Sequence, residues 1–119
     1  MFSRHEENSY IEVLPGIRMK TTVHGDRTLM TEFVMKKGSL LPEHDHPHEQ
    51  TGYLISGHIR LSIGSETFEV NAGDSWNIPG NVTHSARIIE DSVAIEVFSP
   101  RREEYIQKRN KRELEKSEK

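Results

Sequence analysis

The chain has 119 residues, 33% of them hydrophobic and 29% charged, with a net charge of -3. That length suits one domain with one core, and the lack of basic surplus argues against nucleic acid as a partner. With no cysteine there is neither a disulfide framework nor a thiolate metal site, and no apolar stretch reaches membrane-spanning length, so a soluble cytoplasmic protein is the expectation.

In chain order, Thr28 to Lys36 carries Leu29, Phe33 and Met35 at odd positions and ends at Gly38. Thr51 to Ser56 is a short apolar run closed by Gly57, and His58 to Ile63 alternates with Ile59, Leu61 and Ile63 on one face. Phe68 and Val70, then Trp76 and Ile78, follow between glycine and asparagine turns; Val82 to Ile89 and Ser92 to Phe98 are read as two last strands joined at Glu90 and Asp91. Short strands with turn residues between them predict an all-β sandwich or barrel, and no βαβ alternation suggests a parallel sheet. Phe68 and Trp76 read as core or cavity wall. The domain is expected to span 1–105. After Pro100 a short helix packed by Tyr105 and Ile106 is expected, and 106–119 reads as a charged helix or solvated tail.

Histidine is the unusual component. Of seven, His44, His46 and His48 crowd into one short stretch. On a strand, His44 and His46 project to the same side and can share one ion. Pro47 interrupts the strand, so His48 either faces a substrate, supports a ligand or lies exposed on the turn. Gln50 offers an amide oxygen, and His84, after Pro79-Gly80-Asn81, can supply a further nitrogen. His5, His24 and His58 stand alone in polar settings and read as surface groups. Tyr53, beside Gly52, either brings its hydroxyl to the site as a substrate contact or packs. A ligand set of His44, His46, Gln50 and His84 is neutral, leaving a divalent ion its full charge as a Lewis acid. Imidazole suits nickel, zinc, manganese and iron alike, so the metal is not specified.

The run Gly38-x5-His44-x-His46-x3-Gln50-x6-Gly57, followed by Gly73-x5-Pro79 and His84, resembles the two motifs of the cupins over about half the chain, Phe33 to Phe98. The resemblance implies a single-domain double-stranded β-helix, or jelly-roll barrel, and a homodimer. Gln50 stands where those motifs usually have glutamate, Asn81 where they have glycine, and Ile88 where they have asparagine. The stretches His46-Pro47-His48-Glu49-Gln50 and Glu96-Val97-Phe98-Ser99-Pro100-Arg101-Arg102 are similar to the pectin-degradation cupins that linearise 4,5-unsaturated uronates. That resemblance implies Glu96 as acid and base, in place of the family's aspartate, Phe98 as a pocket wall, and Arg102 as the clamp for a sugar carboxylate. The residues alone also allow Glu96 to be salt-bridged to Arg60, Arg87 or Arg102, and Arg102 to be one more solvated charge. Two other functions fit the histidines: an iron-dependent dioxygenase, and a non-catalytic module that binds a small acid or carbohydrate.

Overall fold

The computed structural model describes residues 1–106 and 109. A single 3-10 turn, Glu7–Ser9, precedes eight strands: β1 (Ile11–Leu14), β2 (Ile17–His24), β3 (Leu29–Met35), β4 (Leu40–His44), β5 (Glu49–Ile63), β6 (Glu66–Asn71), β7 (Ser75–Ile78) and β8 (His84–Ser99). Apart from the 3-10 turn and helical residues at 103–106 and 109, the regular structure of the described residues is all β. All pairings are antiparallel; the order is β1-β2-β3-β8-β5-β6, with β4 on β8 and β7 on β5.

Two long strands build the barrel. β5 pairs β7 through its first half and β6 through its second. β8 likewise pairs β4 at its start and β3 at its end, and runs beside β5 throughout. Each was expected as two strands. Glycine at 57 and the acidic pair at 90 and 91 break the hydrophobic period, but the hydrogen-bonded ladder continues through register shifts between Leu54 and Ile59. The strands therefore bend without ending, which carries one polypeptide stretch around the barrel.

Alternation puts Ile17 and Met19 of β2, Phe33 and Met35 of β3, Leu54, Ile59 and Leu61 of β5 and Ala86, Ile88 and Ala94 of β8 in one core. Phe68 does not join it: opposite Leu61 on the edge strand β6, it stays exposed. β1 and β2 extend the sheet on the β3 side, in a region where no strand was expected.

The C-terminal turn is bound to the barrel, as a helix packed by Tyr105 would be. Thr21 donates its hydroxyl to the Tyr105 carbonyl at 3.1 Å, and Arg109 donates to the carbonyls of Thr21 and Thr22 at 2.8 and 2.9 Å. The rest of the expected tail, 107–108 and 110–119, lies outside the described residues. No helix among the described residues is long and apolar enough to cross a membrane.

Candidate functional site

The cupped end of the barrel holds three histidines. His44 closes β4 and His84 opens β8, and the two are direct cross-strand partners. Their ring centroids are 4.1 Å apart, and His46 lies 5.0 Å from His84 and 5.8 Å from His44. One nitrogen from each falls within 4.8 Å of the others. His46 reaches this cluster from a loop, not by continuing the strand as expected, because β4 ends at His44.

Each ring is oriented by the same device. The Nδ1 atoms of His44, His46 and His84 lie 2.8, 3.0 and 2.9 Å from the main-chain carbonyls of Pro42, His48 and Val82. A carbonyl only accepts, so Nδ1 must carry the proton, and the Nε2 lone pair of each neutral ring is left for another partner. His84 Nε2 is buried with no hydrogen-bond partner. His46 Nε2 is 3.0 Å from Gln50 Oε1, a second acceptor facing the first. Two opposed lone pairs and an orphaned buried nitrogen are what a cation would resolve, and the donor set fits a divalent metal. Burial, the largest influence, holds His46 and His84 below the ordinary imidazole range, which keeps the rings neutral as ligands.

Beside the cluster opens a cavity of about 590 Å³ counted with its open mouth. His44, His84, Gln50, Glu96, Phe98 and Arg102 all line it. The inward face expected for Ala94, Glu96 and Phe98 is the face found. Among the described residues no arginine forms a salt bridge with Glu96. Its Oε1 accepts from the Trp76 indole N–H at 3.0 Å, and the nearby Gln50 amide favours the ionised form of the same carboxyl. Gln50 thus stands between the carboxyl and the histidine cluster, its oxygen toward His46. Burial pushes the Glu96 carboxyl above the usual carboxylate range, against the opposing pull of Gln50, Trp76 and Arg102.

Arg102 is fixed on several sides rather than waving in solvent. Its guanidinium carbon sits 5.0 Å from the Phe98 ring centroid and 4.2 Å from that of Tyr105. Nη1 donates to the Tyr105 hydroxyl at 2.9 Å, and Nε to Glu104 at 2.7 Å. Phe98 is fully buried beneath His46 and Tyr105. Burial pushes the Tyr105 phenol up to about 12, so it stays protonated.

Two expected contacts fall elsewhere. Tyr53 is half-exposed on the outer face of β5, because Gln50, Gly52 and Leu54 take the inner one. His48 does not line the cavity; it lends its carbonyl to His46, and its ring stands 5.5 Å from the His46 ring. Two further residues line the cavity: Trp76, for which core and cavity wall were both open, and Tyr105, expected only to pack a helix. The signal for Tyr105 was its place three residues after Arg102, on the same side of a helical turn. For Trp76 it was Gly52, a glycine inside a strand, which marks a close approach.

With the site in place, comparison with known proteins is informative. The model of the cupin domain matches residues 31–99, more than half the chain. The protein belongs to the cupin family. Among curated relatives it is 28% identical over 103 residues to the pectin degradation protein KdgF of Dickeya dadantii, covering 85% of this chain and 94% of that protein. Among solved structures it is similar to KdgF from Halomonas sp., with a TM-score of 0.82, 29% identity and coverage of 87% and 98%. An RmlC-like cupin from Shewanella frigidimarina superposes with a TM-score of 0.83 at 25% identity, covering 87% of this chain and 94% of that one. This cupin therefore resembles the KdgF proteins along nearly its whole length.

Proposed function

We propose that this cupin is a metal-dependent enzyme that opens 4,5-unsaturated uronates to their linear keto form. The observation that carries the proposal is the convergence of Glu96 and Arg102 on the cavity that His44, Gln50 and His84 line. The likeness to proteins named for pectin degradation supports the choice of substrate class.

His44, His46, Gln50 and His84 would hold one divalent ion, nickel, zinc, manganese or iron, which supplies Lewis-acid polarisation of substrate oxygens. Arg102, stacked between Phe98 and Tyr105, takes the substrate carboxylate, with Phe98 forming the wall beneath. Glu96 as carboxylate removes the proton of the anomeric hydroxyl. The bond between the anomeric carbon and the ring oxygen breaks, leaving an aldehyde and an enolate whose electrons extend to the former alkene carbon. Protonated Glu96 then returns its proton to that carbon, and the enolate becomes a ketone. The proton count closes on Glu96 alone, and the raised affinity of its carboxyl for protons suits it to both halves of the exchange.

Substrate-binding roles for His48 and Tyr53 rank below this set, since neither lines the cavity. A homodimer in the cytoplasm belongs to the same proposal; the exposed Tyr53 and Ile55 on one face of β5 support the assembly, which sedimentation would measure. The deciding experiment mixes metal-loaded protein with an unsaturated uronate and follows the loss of enol-ether absorbance. Acceleration over the spontaneous rate, lost in Glu96→Gln, is expected. A rate equal to the spontaneous one, with metal bound, removes the proposal.

A further inference from the structure

Three positions sit side by side on three adjacent strands. Gly52 of β5 pairs with Trp76 of β7 on one side and with Glu96 of β8 on the other. Side chains at paired positions share a face of the sheet, but Trp76 and Glu96 are separated by the width of a whole strand. They meet because the strand between them offers no side chain. The indole lies across Gly52 so closely that a Cβ there would fall 2.1 Å from Trp76 Cε2 and 2.3 Å from Nε1. Its N–H arrives at Glu96 Oε1 at 3.0 Å. The indole N–H thereby holds the Glu96 carboxyl from one side.

We infer that Trp76 is the positioning residue for the Glu96 carboxyl, reaching it across Gly52. The inference deepens the proposed function and rests on that reading for the role of Glu96, but the contact itself is independent of any substrate. An indole N–H only donates, so it fixes one carboxyl oxygen and leaves the other to exchange a proton. The bulk of the ring also settles where the carboxyl cannot go. The fit depends on side-chain reach: Glu96 carries its carboxyl one methylene further from the backbone than an aspartate would. Shortening it to aspartate would withdraw the acceptor from the indole.

The chain has one tryptophan, so a protein labelled with nitrogen-15 gives a single indole N–H signal. The first measurement compares that signal in the wild type and in Glu96→Ala, both metal-free. A displaced signal with faster solvent exchange in the variant supports the inference; an unmoved signal overturns it. The second measurement takes Trp76→Phe, which keeps an aromatic ring and loses the donor, and compares kcat and KM on an unsaturated uronate. A fall in kcat of about tenfold with KM little changed is expected, since the lost bond acts on the reacting carboxyl and not on substrate binding. Unchanged kcat, or a rise in KM alone, overturns it by making the ring a wall or a substrate platform. Gly52→Ala should reproduce the kcat loss by pushing the indole aside, and retention of the wild-type indole signal in that variant would count against the geometry. If the wild type has no activity on unsaturated uronates while the indole signal still responds to Glu96→Ala, the proposed substrate fails and the positioning of Glu96 stands.

Discussion

His44 and His84 face each other across the β4–β8 ladder with ring centroids 4.1 Å apart, and neither Nδ1 atom is available, each being tied to the carbonyl two residues before it. A strand end and a strand start thus aim two Nε2 lone pairs at one point, and His46 brings a third from its loop. A divalent ion that binds this folded arrangement and not the unfolded chain stabilises it by mass action. At a hundredfold excess over the dissociation constant the gain is about 2.7 kcal/mol. Thermal melts with and without added nickel, zinc or manganese after chelation should show a rise in Tm of several degrees. His84→Ala should abolish that rise. An equal rise in the variant would place the ion elsewhere.

Glu96 gives a pH-dependent prediction whose sign follows from its surroundings. Burial raises its carboxyl above the ordinary value of 4.5, so the folded protein holds this proton to higher pH than the unfolded chain does. The stability it contributes is complete below pH 4.5 and is lost as pH rises through the folded value. Glu96→Gln removes the ionisation while keeping an oxygen for the Trp76 N–H. The variant should therefore melt above the wild type at neutral pH and converge with it below pH 4.5, while losing its turnover. Parallel melting curves across the whole range would show that the carboxyl is not destabilised by burial.

How much of this was readable beforehand differs by element. The histidine cluster was legible because His44, His46 and His84 stand in spaced motifs, and spacing survives in a linear sequence. The route of His46 was not: the expected two-residue alternation ends with β4 at His44, and a loop hydrogen bond to the His48 carbonyl does the aiming instead. The alternation of Ala94, Glu96 and Phe98 gave the inner face of β8 correctly. The continuity of β5 and β8 was hidden, because Gly57 and the Glu90-Asp91 pair look like ends when only side chains are counted, whereas the ladder runs on through main-chain groups. β2 was not among the expected strands because its inward row Ile17, Met19, Thr21 includes a polar residue and so carries only a short apolar alternation. The Trp76–Gly52–Glu96 row depends on cross-strand register, which no local window contains.

Arg102 shows how a charge in a charged segment acquires a fixed place. Phe98 and Tyr105 flank its guanidinium, and the Tyr105 hydroxyl takes Nη1 at 2.9 Å. Lysine can keep the charge but neither the planar stacking nor a two-point grip on a carboxylate. Arg102→Lys should raise KM for a uronate by about tenfold or more, with a smaller change in kcat, in steady-state assays. An unchanged KM would mean that the substrate carboxylate is held by another group.

The Pro79-Gly80-Asn81 turn departs from the family motif by exchanging glycine for asparagine, and the geometry gives each residue its own reason. Asn81 has φ 66, in the left-handed region that asparagine enters more readily than other residues bearing a side chain, and its main-chain N–H donates to the His46 carbonyl at 2.7 Å. At Gly80 the constraint is contact: a Cβ would fall 2.5 Å from the Pro47 carbonyl oxygen, a main-chain atom that cannot swing aside. The turn before His84 is thus pressed against the loop that carries His46, coupling the ligand-bearing segments. Asn81→Gly should leave stability within about 0.5 kcal/mol of the wild type, while Asn81→Val should cost about 1–2 kcal/mol. Gly80→Ala should push the His46 loop away, lowering both Tm and metal affinity. Chemical denaturation and metal titration of the three variants would check this order, and a tolerated Gly80→Ala with full metal affinity would refute the coupling.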